Sequence, residues 1–250
     1  LSVSTAALVG LFTSSILYGI YLVLFVGCLY VLLKKWGMAP PNHILVSASI
    51  AMFVINTTIV ALSFSRVQDA FLLDPSNALN LAEWKELTRT MLTCVYMILA
   101  DSLLIYRCWI VWKRQLWVIA APITLLIACS GMIIMLLRAM ALSTESAEGI
   151  FAPSIAPWIT AVLVLTLVQN LLVTCLIVYR ILKVNSSVSG SGGRTLRPII
   201  AMILESGALY VVTLFIWLMT YVAHSFSEYI LVDCINPAIG ITYFLLIIRV

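Results

Sequence analysis

Seven stretches of this chain stay apolar for about twenty residues or more, and that continuity limits the fold more than any motif does. A bilayer core about 30 Å thick is crossed by about 20 apolar residues, each rising about 1.5 Å in a helix. The stretches are residues 6–33, 44–65, 87–112, 116–140, 158–182, 198–223 and 230–249. Barrel strands would alternate apolar and polar over about ten residues, and these runs do not alternate. The expected fold class is therefore all-α: a polytopic membrane protein built as one seven-helix bundle over residues 1–250. With 63% hydrophobic and 10% charged residues, nothing between the runs is long enough for a further soluble domain. The first run is too long for a signal-peptide core and lacks a basic leader, so it reads as a retained helix, and the missing methionine points to a trimmed N-terminus.

Charge at the helix ends sets the expected orientation. One side carries Lys34, Lys35, Lys113, Arg114, Arg180, Lys183, Arg194, Arg197 and Arg249, with no acid in its connectors. The other mixes Arg66, Lys85, Arg89 and Arg138 with Asp69, Asp74, Glu83, Glu86, Glu145, Glu148 and Glu228. The basic side is expected in the cytoplasm, with the N-terminus outside and the C-terminus inside. Trp36, Trp112 and Trp117 fit the inner interface, and Trp84 and Trp158 the outer one. The net charge of +4 is thus a topology signal, and no nucleic-acid partner is expected.

The six cysteines all lie in apolar runs, which favours buried packing thiols over loop disulfides. His43 and His224 fall at opposite faces and cannot share a metal, so no metal and no cofactor is expected. The connector 67–86 mixes leucines with acids and reads as a short surface helix or an amphipathic lid. The inner connector around 187–193 reads as a flexible linker.

Hydrocarbon offers polar groups no partners, so those inside the runs are the candidates for function. Asp101 lies about 18 Å from the basic end of the third helix, near the midplane. Asn56, Asn170, Tyr210 and Asn236 fall at about the same depth on four other helices. Together these five residues are the expected ligand-binding layer, or a structural polar network. Arg107 on the third helix and Glu205 on the sixth are both shallower, and they are expected to form a switch-like or structural ion pair. Asp233 is the third intramembrane acid. Pro237 is expected to kink the seventh helix, with Asn236 bonding the freed backbone.

The stretches ADSLLIYRCWIVW (100–112), SIAPWIT (154–160), NLLVTCLIVYRI (170–181) and ESGALY (205–210) resemble signature segments of a seven-transmembrane family expanded in mushroom-forming (basidiomycete) fungi. The likeness spans nearly the whole chain and implies architecture and a fungal origin rather than a chemistry. It adds weight to Asp101, Arg107, Asn170 and Glu205. In helix number, orientation and short loops the chain is also similar to G-protein-coupled receptors. It departs from them at Tyr106, where an acid would precede Arg107, and after Pro237, where no tyrosine follows at the third position. No cysteine lies between 142 and 157 to tether that loop to the third helix. A retinal protein is excluded because no lysine follows Lys183.

The first functional expectation is a receptor-like protein that binds a small lipophilic ligand in the midplane layer and couples to a cytoplasmic signalling partner. The second is an integral-membrane enzyme on isoprenoid or lipid substrates, resembling a terpene cyclase, with Asp101 or Glu205 as the catalytic proton donor. The third is a small-solute transporter. Each resides in the bilayer of the plasma membrane or an endomembrane.

Overall fold

The computed structural model describes residues 3–34, 43–72, 84–142, 152–188, 197–223 and 228–249, and among these it forms seven α-helices and no strand. They are α1 (Val3–Lys34), α2 (His43–Leu72), α3 (Trp84–Val111), α4 (Leu116–Ala141), α5 (Ala156–Val188), α6 (Arg197–Val222) and α7 (Glu228–Arg249). Six are long and apolar enough to cross a membrane, and Gly207–Val222 of α6 is a shorter apolar helix. The chain is a polytopic helical membrane protein. Its outer surface agrees: Phe12 and Val23 of α1 are 68% and 73% exposed, and Ile127 and Ile134 of α4 are also open, a face that only lipid covers at low cost.

Each helix packs on its neighbours in sequence, and α7 closes the ring against α1. α3 runs through the middle and touches α2, α4, α5 and α7. Its side chains explain that position, since it carries buried polar and charged groups, Glu86, Arg89, Thr93 and Asp101, which lipid would not accept. The main core joins α1, α2, α3, α6 and α7 through Tyr21, Met52, Tyr96, Leu214, Ile239 and Phe244.

Several helices outrun their apolar stretches. α2 continues past residue 65 to Leu72, because Arg66 and Asp69 find partners on α3 and need not leave the helix to reach water. The part of the 67–86 connector between 73 and 83, the linker 189–196 and His224 lie outside the described residues. At the other end of α3 the chain reverses within three residues. Lys113 and Arg114 adopt left-handed backbone, φ 52° and 64°, and the Arg114 N–H bonds the Trp109 carbonyl at 2.9 Å. All six thiols are free, and five are buried as expected. Cys175 instead faces outward from α5.

Gly240 brings three helices together. A Cβ there would lie 2.2 Å from Tyr21 Cε2 and 2.5 Å from the Tyr96 hydroxyl, so α7 can approach the rings of α1 and α3 only with hydrogen at that position. Gly131, by contrast, has nothing within 4 Å of such a Cβ. Gly240→Ala should cost about 1–3 kcal/mol through overpacking. Gly131→Ala should be neutral or gain up to about 1 kcal/mol from helix propensity. Thermal unfolding of both variants in one detergent checks the contrast, and equal midpoints would refute it.

Candidate functional site

The sequence places five polar residues at one depth, and the structure brings some of them together. Asp101 is 2% exposed, and its Oδ1 accepts a hydrogen bond from Asn170 Nδ2 at 3.1 Å. The same amide donates to the Thr166 carbonyl at 2.9 Å, which fixes its orientation along α5. Tyr210 of α6 lies close to Asn170 and Asp101, although its hydroxyl does not meet hydrogen-bond geometry. The Asp101–Asn170 bond thus ties α3 to α5 at mid-depth, with Tyr210 of α6 beside it.

Asn236 and Asn56 go elsewhere. Asn236 Nδ2 donates to Thr93 Oγ1 of α3 at 3.1 Å, and this replaces the expected bond to the backbone freed by Pro237. Asn56 is fully buried, and both ends of its amide lack a hydrogen-bond partner. It lies beside Tyr21, which is itself next to Tyr96. Tyr96, in turn, is near Tyr210 and Tyr243. The rings of Tyr21 and Tyr96 therefore stand between Asn56 and the Asp101 group. Neither tyrosine is among the residues singled out from sequence, though the depth count that found Tyr210 would have reached them.

The Arg107–Glu205 pair is a correction. The Arg107 guanidinium lies over the Tyr243 ring of α7, 5.2 Å from its centroid, and Glu205 is exposed on α6. Depth alone suggested the pairing, but rotation about the α3 axis turns Arg107 toward α7.

A charged cluster that the sequence reading split between membrane ends and a loop is the largest set of linked ion pairs among the described residues. Glu86 receives two hydrogen bonds from Arg89, from Nε and Nη2, each 3.0 Å long. Arg66 of α2 forms an ion pair with the same carboxylate. Arg89 also bonds Asp233 of α7, whose Oδ1 accepts from Ser63 of α2 at 3.2 Å. Glu86 and Arg89 are 4% and 5% exposed, so the centre of the cluster is shut away from solvent and lipid while Arg66 stays partly open. Nearby, Lys85 bonds Asp69 and Ser65 at the rim.

Beneath this cluster is a cavity of about 80 Å³ between α3, α4, α5, α6 and α7. Its walls include Met97, Leu136, Met140, Leu163 and Val232, while Glu86, Arg89, Thr90, Thr93, Trp217 and Glu228 bring polar groups to it. A second cavity of about 40 Å³ lies nearer the opposite end and is lined by Ala100, Asn170, Thr174, Tyr210 and Tyr243, among others. Asp101 lines neither. Glu228, counted from sequence as a loop acid, is 2% exposed at the start of α7. Burial pushes its carboxyl up to about 8; Trp217 and Arg89 pull it down and Glu86 pushes it further up.

No protein-family model, curated protein or solved structure matches the chain. The geometry alone therefore carries the functional reading.

Asp233→Ala would leave the buried Arg89 with one carboxylate fewer and should cost about 3–5 kcal/mol. Replacing both partners, Arg89→Met with Asp233→Leu, should cost less than the sum of the two single changes. A double-mutant cycle by denaturant unfolding in detergent measures the coupling, and strict additivity would show that the contact carries no energy.

Proposed function

We propose that this chain is a receptor-like protein of seven membrane spans that binds a small apolar ligand in the cavity below the charged cluster. One observation carries the reading: five helices converge on an apolar hollow with a few inward polar groups, a common form for small-molecule sites. Its volume is well below the roughly 300–1,000 Å³ of drug-sized sites, so the occupant is compact. The ligand sits nearer the Glu86 end than the midplane layer suggested. Asp101, Asn170 and Tyr210 lie between this cavity and the second one, where they can register a movement of α6 against α3 and α5. Met97 and Met140 give the wall an adaptable surface.

A transporter has one observation in its favour, namely that cavities stand on both sides of the Asp101 layer. An acid-initiated enzyme has less support, since Asp101 faces no described cavity and Glu205 is exposed.

For topology, the reading takes the end bearing Lys34, Lys113 and Arg180 as cytoplasmic and the N-terminus as outside. A glycosylation acceptor introduced at 144–148 should then be modified, while Asn185-Ser186-Ser187 stays bare. The reverse pattern on a gel-shift assay would invert the orientation.

The ligand reading is tested by mass spectrometry of small molecules retained by the purified protein. Wild type should release a compact compound that Leu163→Trp, which fills the cavity, does not retain while keeping its thermal midpoint. Identical extracts from both proteins would overturn the reading. Accumulation of the same compound in proteoliposomes would replace it with the transporter.

A further inference from the structure

We propose that the cavity below the charged cluster takes a compact molecule with an apolar body and a protonated amine, and that the amine is held by the Glu228 carboxylate. This rests on the reading of that cavity as the ligand site and adds the chemical class of the ligand.

Three observations converge on it. First, Glu228 is 2% exposed and lines the cavity, and its Oε2 has no hydrogen-bond partner. A buried carboxyl oxygen without a partner is destabilising, so it marks a position that something else completes. Second, Trp217 Nε1 on the same wall also lacks a partner. It stands near the carboxyl but outside hydrogen-bond geometry, so the two polar atoms border the same hollow without satisfying each other.

Third, the ion pairs of the cluster set two charges of each sign against one another: Arg66 and Arg89 face Glu86 and Asp233. Glu228 is the described acid of the cavity wall outside those pairs. An anionic ligand would meet three carboxylates near one guanidinium pair, and a purely apolar one would leave Oε2 stranded. A metal would need convergent donors, and among the described residues no three His, Cys, Asp or Glu side chains are placed to hold one ion. A single ammonium group supplies both the missing hydrogen bond and the missing charge. The aromatic Trp217 beside it is a favourable neighbour for a cation.

The groups facing Glu228 fix the sign of a pH effect. They are Trp217 and Tyr221 from α6, Glu86 and Arg89 from α3, and Arg66 of α2 behind Glu86. The described side chains of α1 at this end, Leu8 to Ser15, carry no titratable group. Because burial holds the carboxyl protonated up to about 8, binding an ammonium must expel that proton. Affinity for the cation should therefore rise as pH increases from about 6 to about 8.

The test uses the full chain in a neutral detergent with benzylamine, benzyl alcohol and toluene as probes of one shape. Saturable thermal stabilisation should be at least about tenfold stronger in apparent affinity for benzylamine than for toluene. Glu228→Gln should erase that preference while binding toluene as wild type does, which also shows that the variant is folded. Leu163→Trp should lose all three probes. Toluene and benzylamine binding equally in both wild type and Glu228→Gln would overturn the amine assignment and leave the cavity reading intact. No saturable binding of any probe, with Leu163→Trp indistinguishable from wild type, would overturn both. A preference for benzyl alcohol that is flat with pH would replace the ammonium with a neutral hydroxyl donor.

Discussion

The contact between Arg89 and Asp233, with Glu86 and Arg66 completing it, governs how the rest of the bundle is arranged. Charge inside a membrane is tolerable only where protein supplies the counter-charge and the hydrogen bonds. Meeting that demand requires α2, α3 and α7 to lie side by side. Once they do, α3 occupies the centre, α1 is pressed outward against α7, and α4 to α6 close the far side. The hollow lies directly below the cluster, with Glu86 and Arg89 forming part of its wall.

The helices were legible in the sequence because lipid imposes a length and forbids charge, and both demands are written one residue at a time. The lateral arrangement was not. The runs are apolar on nearly every side, so hydropathy reports depth and stays silent about rotation. Asp101, Asn170 and Tyr210 came together because matching depth happened to coincide with matching faces. Arg107 and Glu205 share a similar depth but not a face, and Arg107 meets Tyr243 instead. The charged cluster was obscured for another reason. Arg66, Glu86, Arg89 and Glu228 sit where apolar character fades, and a reading that ends helices there assigns such residues to the interface. Their burial depends on packing partners as distant in sequence as residue 233.

Two polar regions thus divide the interior. The upper one has paired charges at its centre, with Glu228 Oε2 and Trp217 Nε1 left over at the cavity wall, whereas the lower one relies on amides and phenols with more atoms unmatched, including Asn56, Tyr96 and Tyr210. A matched network holds one geometry, and a partly matched one has alternatives of similar energy. This asymmetry makes the region near Asp101 the natural place for rearrangement and the cluster above it the fixed reference.

The spacing of Arg89 and Asp233 also has a consequence for biogenesis. α3 enters the membrane when α7 has yet to be made, 144 positions before its counter-charge is available. During that interval Glu86, one turn away on the same helix, is the local companion that neutralises Arg89 and keeps the segment insertable. Completion of α7 then converts a provisional arrangement into a permanent one, so the Arg89–Asp233 contact marks the moment at which the seventh helix has joined the bundle.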